Sequence, residues 1–221
     1  MKKFALIVAG GSGTRMNNDV PKQFIEVDGR PILMRVFDVF VKYDPKIEIV
    51  LVLPEKQVGY WNLLCEKHNF EIKHKIAFGG ETRFESVKNG LDLIFEEGIV
   101  FIHDGVRPLV SVKTLENCFE AVLEKGNALP VVPVSESVRM VDKLENVAVD
   151  RSKYFLVQTP QTFKTQLIKK AYQQATSNAF TDDATVLENI GETIHLVNGN
   201  RENVKITFPE DLIYAEIILG R

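Results

Sequence analysis

Short apolar runs alternate with stretches of helical periodicity along the whole chain. Runs near 4–9, 47–53, 71–77, 99–102, 128–134 and 193–198 have the length and β-branched character of strands. Segments near 31–43, 55–67, 84–96, 111–124, 164–175, 182–190 and 209–219 read as helices. In the first of these, Pro31 occupies the opening turn, and Ile32, Leu33, Val36, Phe37 and Phe40 recur at three- and four-residue spacing to make one apolar stripe. Strands alternating with helices imply a mostly parallel sheet covered on both faces. The fold class expected is therefore α/β, a Rossmann-like three-layer sandwich.

One segment breaks the rhythm. Residues 135–158 are extended in character but too polar and too broken for a central strand, and two alternating stretches around Glu145-Asn146 suggest a β-hairpin. The chain reads as a single domain, 1–221, with 135–158 as a projecting β-arm. An isolated two-stranded ribbon is marginal in water, so the arm needs a packing partner, and a second subunit is the simplest one. A homodimer formed through the arm is expected.

Composition narrows the function classes. The chain has 221 residues, 45% hydrophobic and 26% charged, enough for one sizeable globular domain. A net charge of -3 disfavours a nucleic-acid surface, so an anion must be bound by local placement of Lys and Arg. No apolar run approaches a membrane span, and Met1-Lys-Lys-Phe leads directly into a strand and a glycine loop without a signal-peptide core. A cytoplasmic protein without a membrane partner is expected. Cys65 and Cys118 lie far apart, with no C-x-x-C and no histidine at metal spacing, and read as free thiols.

The most informative stretch is A-G-G-S-G-T-R-M at 9–16, followed by P-K-Q at 21–23. Gly10, Gly11 and Gly13 remove the side chains that would keep a ligand from the backbone, and exposed amides in such a loop bind anions. Arg15 and Lys22 add two cations, so the loop looks built for a nucleoside triphosphate. It is not a P-loop, because no Gly-Lys-Ser or Gly-Lys-Thr occurs, and the third glycine of a dinucleotide fingerprint would fall at Met16. An Asp-x-Asp metal motif, which a nucleotide-sugar glycosyltransferase would need, is missing at Asp104-Gly-Val.

Further polar clusters fall at the ends of expected strands, where doubly wound sheets bind ligands. Gly80, Glu81, Arg83 and Ser86 open a helix in G-G-E-T-R-F-E-S-V at 79–87, although a capping loop alone explains Gly80 and Glu81. Asp104 and Arg107 stand in H-D-G-V-R-P at 103–108; Asp104 suits a metal or ligand hydroxyls, and an Asp–Arg pair within the loop is the structural alternative. His103 reads as structural, since a persisting strand turns it away from Asp104. T-D-D-A at 181–184 has the form of a helix N-cap. Lys205, between Val204 and Ile206 in a short expected strand, points either to solvent or into the site.

In order and spacing these motifs, with Q-T-P-Q-T-F at 158–163 and the run from Gly199 to Leu212, resemble the 2-C-methyl-D-erythritol 4-phosphate cytidylyltransferases of non-mevalonate isoprenoid synthesis. The resemblance implies transfer of CMP from CTP to a polyol phosphate, with a divalent metal, Mg²⁺, as cofactor. It implies that Arg15, Lys22 and Lys205 hold the triphosphate and its developing charge. Cytosine would be read around Ala9, Gly10, Gly80, Glu81 and Ser86, with Gly105 against the ribose and Arg83 supporting the loop. Asp104, Arg107 and Thr181 would face the acceptor and the metal-triphosphate complex, with Asp104 a metal ligand mostly through triphosphate oxygens. Arg151 and Ser137 would grip the acceptor phosphate from a partner's arm. Two residues depart from the family pattern: Gly105-Val106 replaces a usual Ala-Ala pair, and Ser137 replaces a threonine. Ribitol-5-phosphate cytidylyltransferases share most of the scaffold and compete for the acceptor assignment. A non-catalytic nucleotide-binding module is the alternative of another class.

Overall fold

The computed structural model of the chain describes residues 1–10, 20–143 and 145–220. Strand β1 (Lys2–Val8) is followed by a small hairpin, β2 (Glu26–Val27) and β3 (Arg30–Pro31), then α1 (Ile32–Tyr43), β4 (Glu48–Leu53), α2 (Glu55–Lys67) and β5 (His74–Phe78). Next come α3 (Arg83–Leu91), β6 (Gly98–Asp104), α4 (Val112–Lys125) and β7 (Asn127–Pro133). The chain then forms a second hairpin, β8 (Arg139–Asp142) and β9 (Glu145–Ala148), before β10 (Phe155–Val157), β11 (Gln161–Lys164), α5 (Thr165–Gln174), α6 (Asp183–Glu188), β12 (Leu196–Asn198) and α7 (Pro209–Leu219).

Among the described residues, eight strands form the main sheet in the order β10-β7-β11-β6-β1-β4-β5, with β12 parallel to β7. The chain lays β1, β4 and β5 side by side in one direction and then returns to place β6 on the other flank of β1. That reversal opens a crevice beyond the carboxyl ends of β1 and β6, where Val8 is in register with Asp104.

Alternation across the central strands explains the three layers. Ala5 and Ile7 of β1, with Ile49 and Leu51 of β4, pack under Phe37 and Phe40 of α1, Trp61 of α2 and Leu115 of α4. Phe4, Leu6, Val50 and Val52 face the opposite side, against Phe84 and Val87 of α3, Ile168 of α5 and Val186 of α6. Both faces are buried, which is why the strands read as nearly continuous apolar runs. A smaller cluster joins Val106, Ile206 and Ala215, tying the polypeptide around Lys205 and helix α7 to the end of β6.

The expected helices and most strands form near their predicted bounds, with instructive differences. The strand expected at 71–77 starts only at His74, and the helix expected at 84–96 ends at Leu91. Strand β11 was not anticipated, because Gln-Thr-Phe-Lys carries no strand pattern of its own. It forms because it pairs antiparallel with both β6 and β7. The projecting arm is shorter than 135–158: β8 and β9 are exposed throughout, but Phe155–Val157 returns to the main sheet as an antiparallel partner of β7. Strands β10 and β11 both pair with β7, and their pairing is interrupted at Gln158–Pro160, where the Thr159–Pro160 peptide is cis. Gln158 and Thr159 of this interruption line the crevice.

Candidate active site

Asp104, the last residue of β6, is the centre of the crevice. Its Oδ2 accepts from Arg107 Nε at 3.1 Å and lies 3.1 Å from Lys205 Nζ. Burial alone would raise its pKa, but the attraction of Lys205, Arg83 and Arg107 outweighs that and holds the carboxyl below the usual carboxylate range. The Asp–Arg pair anticipated as a structural alternative is therefore present, and Arg107 is further fixed by Nη1 donating to the Asn203 carbonyl at 2.8 Å. Lys205 does not lie in a strand. The Ile206 amide donates to the Val106 carbonyl at 2.9 Å, which turns Ile206 into the core and Lys205 toward Asp104.

His103 is structural, as its strand position implied. Its Nε2 donates to the Arg107 carbonyl at 3.0 Å, so Nδ1 accepts from the Thr159 hydroxyl, and Thr159 Oγ1 in turn accepts the Asp104 amide. Complete burial pushes the imidazole down to about 4, leaving it neutral at ordinary pH.

The end of β1 is equally tied down. The Ala9 amide donates to the Val52 carbonyl, while the Ala9 carbonyl accepts from Gln23 Nε2 at 3.0 Å. Gln23, buried and bonded also to Gln57, is a positioning residue that the P-K-Q motif contained but sequence reasoning left unused. The amide of Ala9 is thus committed to the sheet, and only its carbonyl retains a lone pair for a ligand. Gly105 donates to the Val8 carbonyl at 2.8 Å, and a Cβ on it would lie 2.9 Å from that of Ala9. In this chain the two strand ends approach more closely than the alanine usual at that position would allow.

At the start of α3, Thr82 and Glu85 form a capping box. Glu85 accepts from the Glu81 amide at 2.8 Å, and Ser86 Oγ accepts from the Gly80 amide while donating to the Thr82 carbonyl. The capping reading accounts for Gly80, Glu81 and Ser86 as a rigid rim. Arg83, expected to support this loop, makes a bidentate pair with Asp183 of α6 at 2.9 and 2.6 Å.

Two clefts meet here. One, of about 450 Å³, is lined by Ala9, Gly10, Lys22, Gly80, Glu81 and Ser86 among others. The second, of about 260 Å³, is lined by Arg107, Gln158, Thr159, Thr181 and Asp182 among others. Arg83, Asp104 and Lys205 line both. Gly11, Gly13 and Arg15 lie outside the described residues. Ser137 and Arg151 are exposed on the arm and line neither cleft; Arg151 Nη1 donates to the Ser135 carbonyl. The site thus unites the predicted Lys22, Gly80, Asp104, Arg107, Thr181 and Lys205 and adds Thr159, Asn203 and Asp183.

The donor set suits one kind of metal binding. Asp104 is the single carboxylate common to both clefts, its Oδ2 already faces two cations, and no cluster of three His, Cys, Asp or Glu side chains exists among the described residues. Such residues fit a divalent cation that arrives on phosphate oxygens and takes one carboxylate ligand, and not a cage made by protein alone.

Comparison with known proteins decides the family. The sequence model of 2-C-methyl-D-erythritol 4-phosphate cytidylyltransferase matches residues 4–221. The chain belongs to this family. Cytidylyltransferases of that name from Bacteroides fragilis and Phocaeicola vulgatus are 52% and 51% identical to it over 220 and 219 residues, covering 99% of this chain and 100% of each relative. The crystal structure of 4-diphosphocytidyl-2C-methyl-D-erythritol synthase from Anaerococcus prevotii superimposes with a TM-score of 0.84 at 28% identity, covering 100% of this chain and 99% of that one. As a member of the cytidylyltransferase family the chain is a nucleotidyltransferase, and the doubly wound sheet with its crevice is the fold of that family. No described helix is long and apolar enough to cross a membrane.

Proposed function

We propose a division of labour between the two clefts, in which CTP occupies the larger one, 2-C-methyl-D-erythritol 4-phosphate the smaller, and the phosphoryl group transfers where Arg83, Asp104 and Lys205 line both. The chain transfers CMP from CTP to the methylerythritol phosphate, releasing pyrophosphate and forming 4-diphosphocytidyl-2-C-methyl-D-erythritol. A phosphate oxygen of the acceptor attacks the α-phosphorus, and the bond to the oxygen bridging the β-phosphorus breaks. The nucleophile is already an anion, so catalysis rests on alignment and charge.

Local charge carries the reading. Arg107 and Lys205 share one carboxylate, which leaves a net positive charge at the junction, and Lys22 is among the residues that line the larger cleft. A chain of net charge -3 thereby presents a cationic seat to a triphosphate. Lys22 and Lys205 would hold its oxygens, together with Arg15. Gly10, Gly80, Glu81 and Ser86 form the rim for the base, and Gly105, which lines neither cleft, lets the ends of β1 and β6 close up beneath the ribose. Asp104 would be the protein ligand of Mg²⁺, which when bound neutralises triphosphate charge. Arg107 and Thr181 border the acceptor.

The test is pyrophosphate release with CTP and Mg²⁺, methylerythritol 4-phosphate being compared with ribitol 5-phosphate. Turnover is expected with the former; preference for ribitol phosphate, or turnover with neither, would overturn the assignment. For the rim, Gly80→Ala places a Cβ 2.4 Å from that of Glu85. It is expected to loosen the capping box at a cost of about 1 kcal/mol, read as a melting-temperature drop of ~2–4 °C, and to raise KM for CTP more than for the acceptor.

The chain acts as a homodimer in the cytoplasm, and the arm completes the site of its neighbour: Arg151, with Ser137, grips the acceptor phosphate. Met140, Val141 and Val147, exposed on the ribbon, support an arm that is covered by another copy. Arg151→Ala should raise KM for the acceptor more than for CTP. Coexpressed with Lys205→Ala chains, it should recover about a quarter of wild-type activity, because half of randomly mixed dimers carry one intact site. No recovery would place Arg151 in its own subunit's site or outside it.

A further inference from the structure

The pair Arg83–Asp183 joins two segments 100 residues apart, the rim of the nucleotide cleft and the start of α6 beside the acceptor cleft. Asp183 is fully buried and receives three hydrogen bonds: from Arg83 Nη1 at 2.9 Å, from Arg83 Nη2 at 2.6 Å and from the Tyr172 hydroxyl at 2.6 Å. Tyr172 is itself 3% exposed and stacks on Phe84, the residue next to Arg83, at 4.6 Å between ring centroids. Gln161 clamps the same helix start, donating to Asp182 Oδ2 at 2.9 Å and accepting from the Ala184 amide at 2.7 Å.

A buried ion pair is seldom retained for stability alone, since well-packed apolar residues can stabilise as much. What this pair provides is direction. A guanidinium has five donors in a fixed plane, and Asp183 engages one from each terminal nitrogen. The remaining edge belongs to a side chain that lines both clefts and lies within electrostatic reach of Asp104.

We propose that Asp183 and Tyr172 are positioning residues that orient Arg83 at the junction of the clefts, so that its remaining N–H groups meet the transferring phosphoryl group. Arg83 thereby aligns the acceptor with the α-phosphorus, and the rim and the start of α6 are held as one unit. This rests on the two-cleft reading above.

The experiment measures kcat and both KM values for Asp183→Asn, Tyr172→Phe, Arg83→Met and the double variant Arg83→Met/Asp183→Asn, with thermal melts for each. Expected are a drop in kcat of about 30-fold for Asp183→Asn and of ~3–10-fold for Tyr172→Phe, with KM values within about threefold. The double variant should be no slower than Arg83→Met alone, because Asp183 acts through Arg83. Multiplying losses in the double variant, or wild-type kcat in Asp183→Asn, would overturn the proposal. If Asp183→Asn does not fold, Tyr172→Phe decides: wild-type kcat there refutes the alignment. An inactive wild type would instead bring down the two-cleft reading and this proposal with it, whereas an active wild type with unaffected variants removes this proposal alone.

Discussion

Lys205→Ala is expected to lower kcat for pyrophosphate release by on the order of 10²–10³, the usual loss when one preorganised charge is removed from a transition state. The geometry makes this substitution unusually clean. The Lys205 side chain is 46% exposed, so its removal leaves no cavity, and Asp104 keeps Arg107 as a partner. The melting temperature should therefore stay within a few degrees of wild type. What disappears is one of the two cations that line both clefts, the one proposed to balance the charge that builds on the α-phosphoryl group as pyrophosphate departs. Lys205→Arg should recover part of the rate by restoring charge at altered geometry. Lys113→Ala, which removes an exposed lysine paired with Glu116 on α4, serves as the control and should leave kcat unchanged. A Lys205→Ala enzyme within threefold of wild-type kcat would take the transfer step away from the junction.

The sheet was legible in the sequence because strands buried on both faces must be apolar through their middle, and residues 4–8 of β1, 49–53 of β4 and 99–102 of β6 are. The local groups of the site were legible for a related reason. Asp104 and Arg107 stand three residues apart at a strand end, so their pairing needs only a tight turn. Longer connections were not. The pair of Arg83 with Asp183 depends on how α3 and α6 meet across the same face of the sheet, and no local pattern encodes it. Strand β11 and the buried Thr159 and Asn203 carry polar residues whose partners come from elsewhere in the chain. The direction of Lys205 could not be read from alternation, because Val204 and Ile206 flank it equally. One backbone hydrogen bond, from Ile206 to Val106, decides it. The arm was read too long for the same reason: Phe-Leu-Val at 155–157 has the pattern of a ribbon, and only pairing with β7 makes it part of the sheet.

Asp104→Asn is expected to abolish most activity and to destabilise the fold, because the amide has the shape of the carboxylate without its charge. Two cations, Arg107 and Lys205, would then face each other across a group that is only 10% exposed. Breaking one partner out of a buried ion pair costs about 3–5 kcal/mol, and the partial exposure of Lys205 places this site toward the lower end. The dependence on pH separates charge from shape. Burial opposes the charged form of Asp104, yet the neighbouring cations outweigh it and lower the folded-state pKa. A depressed carboxyl stabilises the fold fully above its unfolded value, about 3.9, and that contribution fades as pH falls through the lower folded value. Urea unfolding should therefore show the full gap between wild type and Asp104→Asn at neutral pH, and the gap should begin to narrow as pH falls below about 3.9, where the unfolded chain takes up a proton that folded Asp104 still excludes, and should be lost as pH falls through the lower folded value. A gap that stays constant into strong acid would mean that packing, and not the charge shared by Arg107, Lys205 and Arg83, is what Asp104 contributes.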